Sequence, residues 1–323
     1  MKAIRYHQLG GPEVLRWEDA PEPVPGPGQV LLRVHAAGVN FADTERRRGL
    51  YDAQVPLPRI LGSEAAGVVR AVGPGVDPAW VGRRVVALTK EAYAEAALAP
   101  VEGLLVLPPE VSFAEAAALL VQGLTAYHVV HTVGRVEAGQ TVLVHAAAGG
   151  VGLLAVQLAK AAGARVIGTV SGEAKARLAR DVGADAVIRY DQEDVAASVR
   201  ELTGGRGVER VLDSVGASTW QASLDALAPF GHLVSYGNAS GHPPPVEVES
   251  LYAKSLTVGA YWLHTPTPPE VQRRAREALL AQVVAKRLRI VVGLTLPLSR
   301  AEEAHRQLEG RNTVGKVVLV GAD

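Results

Sequence analysis

Residues 145–152 read HAAAGGVG, a run of small side chains placed after the apolar stretch TVLV at 141–144 and before LLAVQLAK. A strand passing through glycine into an Ala/Leu-rich helix is the setting of a phosphate cradle. The first helical turn leaves backbone N–H groups without intrahelical acceptors, the helix dipole adds positive potential, and glycine lets an anion approach without meeting a Cβ. In the G-x-G-x-x-G frame of dinucleotide sites the three positions fall on Ala147, Gly149 and Gly152, so the first glycine is an alanine. By itself the run also fits a tight strand-to-helix turn, and its surroundings must decide.

Those surroundings alternate strand and helix. Buried-type strands at 141–145, 165–170, 186–190, 208–213 and 231–236 are separated by helical stretches, among them about 150–162 and 174–181. Such alternation predicts an α/β fold with a Rossmann-type, doubly wound parallel sheet. The first third differs. Its short segments 29–35, 65–72 and 84–88 alternate apolar and polar residues between Gly and Pro, which predicts an irregular, mostly antiparallel β-rich domain. The stretch 21–28, PEPVPGPG, reads as a stiff surface connection. After residue 260 the pattern gives a long helix at about 269–287, a short one from 299, and a last strand at 316–320 that returns to complete the first domain. The expected organisation is therefore 1–118 plus 261–323 as a catalytic domain and 119–260 as the dinucleotide-binding domain.

Composition narrows the function. In 323 residues, 33 basic and 33 acidic side chains cancel, so there is no electrostatic footprint for a nucleic-acid partner. The opening MKAIRYHQ has no apolar core of a secretory signal, and no apolar run reaches membrane-spanning length, so a cytoplasmic protein is expected. There are no cysteines, which excludes disulfides, thiolate-ligated zinc and thiol catalysis. Asparagine occurs only at 40, 238 and 312, and methionine once; this scarcity of thermolabile residues points to a thermostable protein.

The extended run Gly139-Gln140, Leu143, Ala147-Ala148-Gly149-Gly150, Gly152, Gln157 and Lys160 resembles the signature of the quinone oxidoreductase and zeta-crystallin branch of the medium-chain dehydrogenase/reductase superfamily. GGPEVL at 10–15, VNFAD at 39–43, RGLY at 48–51, LGSEAAG at 61–67 and DSVG at 213–216 agree with that branch, so the resemblance spans the chain. It implies a GroES-like partial barrel for the catalytic domain and a nicotinamide cofactor on the loop backbone at Ala148, Gly149, Gly150 and Val151. An NAD-preferring enzyme of this fold carries Asp or Glu at the end of the second strand, where this chain has Val170. The following turn, SGEAK at 171–175, offers the Ser171 hydroxyl and the Lys175 ammonium. In the resembled enzymes the residues matching Lys175 and Tyr190 hold the 2′-phosphate, so NADPH is the expected cofactor. The resemblance also assigns Thr125 to the nicotinamide or its ribose, Ser214 to the adenosine side, Tyr236, Asn238 and Ser240 to the nicotinamide half, and Arg311 to the phosphates.

Zinc alcohol dehydrogenases of the superfamily have Gly-His-Glu where this chain reads Gly62-Ser63-Glu64. Catalytic zinc needs three protein ligands, and with that His replaced and no Cys in the chain no zinc is expected. His128 and His131 read as helix-packing residues. Without a Lewis acid, an acceptor that delocalises the charge left by hydride delivery is favoured: a quinone, or alternatively an α,β-unsaturated carbonyl. Asn40 and Tyr51 are the candidate donors, since their counterparts face the nicotinamide cleft between the domains, whereas Asp43 reads as a structural partner of backbone or arginine. A low-turnover NADPH-binding protein of crystallin type is the reading from another class. The segment SLTVGAYW at 255–262 reads as a sheet edge through which two copies form a homodimer.

Overall fold

The alternating segments of the first third become antiparallel strands, and the apolar runs of the middle become parallel ones. A computed structural model describes residues 1–51 and 56–321 and divides the chain into two compact units, Met1–Val121 with Ile290–Asp323, and Gln122–Arg289.

The first unit is organised on the eleven-residue strand Gln29–Val39. That strand pairs antiparallel with Glu64–Val72, Ala96–Pro100 and the C-terminal Lys316–Val320. Register shifts at Leu31/Leu32 and Val34/Ala36 break its ladder with Glu64–Val72, and such bulges bend a strand so that it can serve several neighbours. The seven-stranded sheet continues through Arg84–Leu88 and Leu105–Val106 on one side and Val292–Pro297 on the other. Lys2–Tyr6, between Arg16–Asp19 and Arg59–Ile60, forms a separate three-stranded sheet. Ile4, Tyr6, Val34, Leu61, Val317 and Leu319 meet in one core, so the two ends of the chain are packed together.

The second unit is a six-stranded parallel sheet. In order across the sheet its strands are Ala186–Arg189, Arg165–Val170, Thr141–Val144, Val208–Asp213, Leu227–Ser235 and Thr257–Ala260. Numbered along the unit this is 3-2-1-4-5-6, the doubly wound order whose direction reverses beside the first strand. Val142, Leu143, Val144, Val166, Ile167, Val211 and Leu212 are fully buried, which is why these strands read as continuous apolar runs.

The structure differs from the sequence reading in two places. The units join at 121/122 and 289/290, not at 118/119 and 260/261. The helix Pro269–Val284 stays with the parallel sheet because it buries Ala275 and Leu279, and because Gln157 clamps Arg289, donating to its carbonyl at 3.0 Å and accepting its N–H at 2.7 Å. The strand Val292–Pro297, which pairs parallel with Lys316–Val320, was not anticipated. No helix among the described residues is long and apolar enough to cross a membrane.

Candidate active and cofactor site

The glycine loop follows the strand beside which the strand order of the parallel sheet reverses, where open α/β sheets bind ligands. Gly149 caps the helix Gly150–Ala161 in an extended conformation. A Cβ on Gly152 would stand 2.3 Å from the Ala146 carbonyl oxygen and 2.8 Å from Ala147 Cα, so only glycine lets the helix start this close to the loop. The left-handed backbone falls on Ala146, φ 50°, one residue before the first position of the glycine frame. A non-glycine residue held there stores strain of about 1 kcal/mol at the loop. Ala147 is fixed against the second strand by its N–H to the Thr169 carbonyl at 3.0 Å.

A buried polar seam supports this end of the sheet. His145 Nδ1 lies 3.0 Å from Thr169 Oγ1 and its Nε2 3.0 Å from Ser223 Oγ, which donates to Asp213 Oδ2 at 2.9 Å. Asp213 also accepts the N–H groups of Val215 at 2.7 Å and Gly216 at 3.2 Å, shaping the turn that starts at Ser214. Burial holds His145 below its ordinary pKa, so the seam works with a neutral ring. Ser214, Tyr236, Asn238 and Ser240 are brought together on two adjoining turns: the Tyr236 N–H donates to the Asp213 carbonyl, Ala239 N–H to Ser214, and Ser240 Oγ to Val215. Thr125 is buried, while Tyr190 is exposed at the edge strand. Val170 ends its strand as expected, and Lys175 Nζ lies 3.3 Å from Ser171 Oγ, which leaves an ammonium and a hydroxyl at the position where a carboxylate is missing. His128–Thr132 winds as a π-helix; His128 stacks on Tyr261 with centroids 5.2 Å apart, and Tyr127 meets both histidines edge-on, so these rings pack.

In the first unit, Asn40 caps the helix Phe41–Arg48 in a capping box, and Asp43 takes its N–H at 2.9 Å. Sequence reasoning missed what holds its amide. Lys316 Nζ donates to Asn40 Oδ1 at 2.8 Å and to Glu64 Oε1 at 2.7 Å, while Asn40 Nδ2 reaches the same carboxylate oxygen at 3.2 Å. Glu64 Oε2 accepts the Val121 N–H at 2.8 Å. All three side chains are buried. Asp43 is structural, as expected: Arg46 donates to it at 3.2 Å and the Tyr93 hydroxyl at 3.0 Å. The Arg46 guanidinium also lies over the Tyr51 ring, 4.5 Å from its centroid. Arg311 is exposed just after the helix Ala301–Glu309, with a left-handed φ of 56°.

The donors near Ser63 do not suit zinc. Ser63 Oγ accepts from Arg46 at 2.8 Å, and the neighbouring carboxylates Asp43 and Glu64 already face Arg46 and Lys316. Two fixed cations thus stand where a third would have to bind. Among the described residues no group of three or more His, Asp or Glu is arranged for a metal.

One chain that carries an antiparallel catalytic-type unit and a doubly wound sheet with a dinucleotide loop has the make-up of a medium-chain dehydrogenase/reductase. Residues 26–119 match the family described as alcohol dehydrogenase GroES-like domain, and residues 150–280 that described as zinc-binding dehydrogenase. The chain is 44% identical to a quinone oxidoreductase of Pseudomonas aeruginosa over 99% of both chains, and 41% identical to a 2-haloacrylate reductase of a Burkholderia species over 98% of both. The crystal structure of Escherichia coli quinone oxidoreductase complexed with NADPH superposes with a TM-score of 0.94 at 39% identity, over 99% of this chain and all of that one. This chain belongs to the quinone oxidoreductase branch of that superfamily.

Proposed function

We propose that this protein reduces quinones with NADPH, by hydride transfer that does not use zinc. The observation that carries the reading is the likeness to a quinone oxidoreductase at 44% identity along 99% of both chains. The local chemistry supports it: Val170 puts no carboxylate against a 2′-phosphate, and Lys175 with Ser171 supplies donors for one. When bound, NADPH supplies a hydride from its nicotinamide. The backbone at Ala148, Gly149, Gly150 and Val151 receives the pyrophosphate, Lys175 and Tyr190 the 2′-phosphate, and Thr125, Ser214, Tyr236, Asn238 and Ser240 line the rest of the cofactor. Asn40 is a fixed dipole, and the Tyr51 hydroxyl donates to the acceptor oxygen. A quinone spreads the arriving negative charge over its ring, so positioning and a hydrogen-bond donor suffice where an isolated ketone would need a Lewis acid. The likeness to a 2-haloacrylate reductase favours α,β-unsaturated carbonyls as the second substrate class.

NADPH oxidation with a panel of quinones and enones tests the reading; turnover of neither would leave a cofactor-binding protein of low activity. A hydrogen bond to a charged group contributes about 1.5–3 kcal/mol, so Lys175→Ala should weaken NADPH roughly ten- to hundredfold and spare NADH. Equal losses for both cofactors would show that Lys175 does not read the 2′-phosphate.

The proposed assembly is a homodimer that continues the parallel sheet through Thr257–Ala260, its last strand in the order. Phe230, Val248, Tyr252 and Trp262 are large exposed apolar side chains of the same unit. Sedimentation at micromolar concentration should give a dimer, and a lone monomer would refute this. A cytoplasmic location, on the likeness to bacterial quinone oxidoreductases, and thermostability, on the scarcity of Asn and Met, complete the proposal.

A further inference from the structure

The edge of the parallel sheet holds a charged cluster that the sequence reading passed over. Val170 pairs in register with Arg189 on the outermost strand, so Arg189 stands beside the position where enzymes of this fold read the cofactor ribose. The Arg189 guanidinium donates to Asp191 Oδ2 at 2.9 Å and lies 4.0 Å from Glu173 Oε2; its Nε is buried without a partner. The other oxygen of Asp191 accepts the Gly172 N–H at 3.3 Å, in the same turn that carries Ser171 and Lys175. The carboxylate missing at residue 170 thus returns from the turn after the neighbouring strand. It occupies a backbone donor and a guanidinium, both suited to a phosphate. The pairing also holds the Asp191 carboxyl below its ordinary pKa, so the group is an anion at neutral pH.

We propose that Asp191 is an internal competitor for the cofactor's 2′-phosphate and sets how strongly the site discriminates NADPH from NADH. This rests on the NADPH reading above. An arriving 2′-phosphate displaces the Asp191 carboxylate, and Arg189 turns from one anion to the other. NADH carries no such group and leaves the Arg189–Asp191 pair closed. Asp191 therefore lowers the preference for NADPH that Lys175 and Arg189 create.

The test uses Asp191→Asn, which keeps an oxygen for the Gly172 N–H and replaces the charged acceptor that faces Arg189 with a neutral amide. Dissociation constants would be measured by fluorescence titration for NADPH and NADH, and by calorimetry for 2′,5′-ADP and 5′-AMP. NADPH and 2′,5′-ADP should tighten about three- to tenfold, NADH and 5′-AMP should move less than about twofold, and the gain should shrink in about 0.5 M salt. In an Arg189→Gln background the same change should give a smaller gain, since only charge repulsion is relieved and no guanidinium is left to release. An unchanged or weaker NADPH affinity in Asp191→Asn, with an unaltered melting temperature, overturns the proposal, as does equal tightening of NADH. Continued selective loss of NADPH on Lys175→Ala would then show that the cofactor reading stands and only the role of Asp191 fails. If 2′,5′-ADP binds the unaltered protein no better than 5′-AMP and Lys175→Ala spares NADPH, both fall together.

Discussion

Lys316→Ala should cost the first unit about 3–5 kcal/mol, enough to unfold it under mild conditions. The lysine is 2% exposed and Glu64 is fully buried, so truncation leaves a carboxylate without counter-charge in a medium that cannot solvate it. Burial pushes the Lys316 ammonium below its ordinary pKa while Glu64 pulls it back, so the pair stands or falls together. The site is also shaped for the charge: a Cβ on Gly38 would lie 2.3 Å from Glu64 Oε1. Glu64→Ala should be comparably damaging, because it strands the ammonium and releases the Val121 N–H. Glu64→Gln combined with Lys316→Met removes both charges at similar volume and should recover most of the loss. Hydrogen exchange in Gln29–Val39 would assign the effect to this unit. A loss below about 1 kcal/mol in Lys316→Ala would show that water reaches Glu64 and that the pair is not a true interior ion pair.

The second large effect is an acid limb set by His305. Arg47, fully buried, donates to His305 Nδ1 at 2.9 Å and to Glu309 at 2.6 Å, which leaves the ring proton on Nε2, 3.4 Å from the Tyr93 hydroxyl. Burial, and then the Arg47 charge, pushes the ring down to about 3. Between that value and the ordinary value near 6.5, the unfolded chain binds a proton that the folded ring refuses. Stability therefore falls as pH drops below about 6.5 and stops falling from this cause near the folded value, at about 1.4 kcal/mol per pH unit in between. His305→Asn keeps an acceptor for Arg47 and removes the titration. Denaturant melts between pH 7 and 4 should show its acid limb flatter by one proton. His128, His131, His145 and His232 are also held low by burial, so the remaining limb keeps the same sign. A variant with the slope of the unaltered protein would mean that the folded ring already carries its proton.

What the sequence showed and hid follows from the range of the forces. The parallel strands were legible because burial on both faces leaves short apolar runs such as 142–144, and the expected bounds 165–170 and 208–213 match the strands residue for residue. The glycine loop was legible because it is local. The cluster around Asn40 was not, since Lys316 lies in the chain's last strand and looks like any surface lysine until Glu64 is brought to it. Arg47 was hidden likewise, within the run Arg46-Arg47-Arg48 that reads as a solvated helix end, although it is buried between Gly10, His305 and Glu309. Asp191 and Arg189 escaped notice because the neighbouring strand was represented by Tyr190 alone, and only the pairing of Val170 with Arg189 brings the flanking charges to the same place.

The way the first unit is assembled has a consequence for how the protein is made. Lys316–Val320 pairs with Gln29–Val39, so a sheet begun before the parallel-sheet unit is closed by a strand made after it. The parallel-sheet unit is continuous in sequence and emerges whole while its predecessor is still open. Until Lys316–Val320 emerges, Ala36–Val39 lacks its partner on one edge and Glu64 lacks the Lys316 ammonium, which leaves an apolar strand edge for chaperones to shield. Of the two units, the one that is begun earlier is finished later.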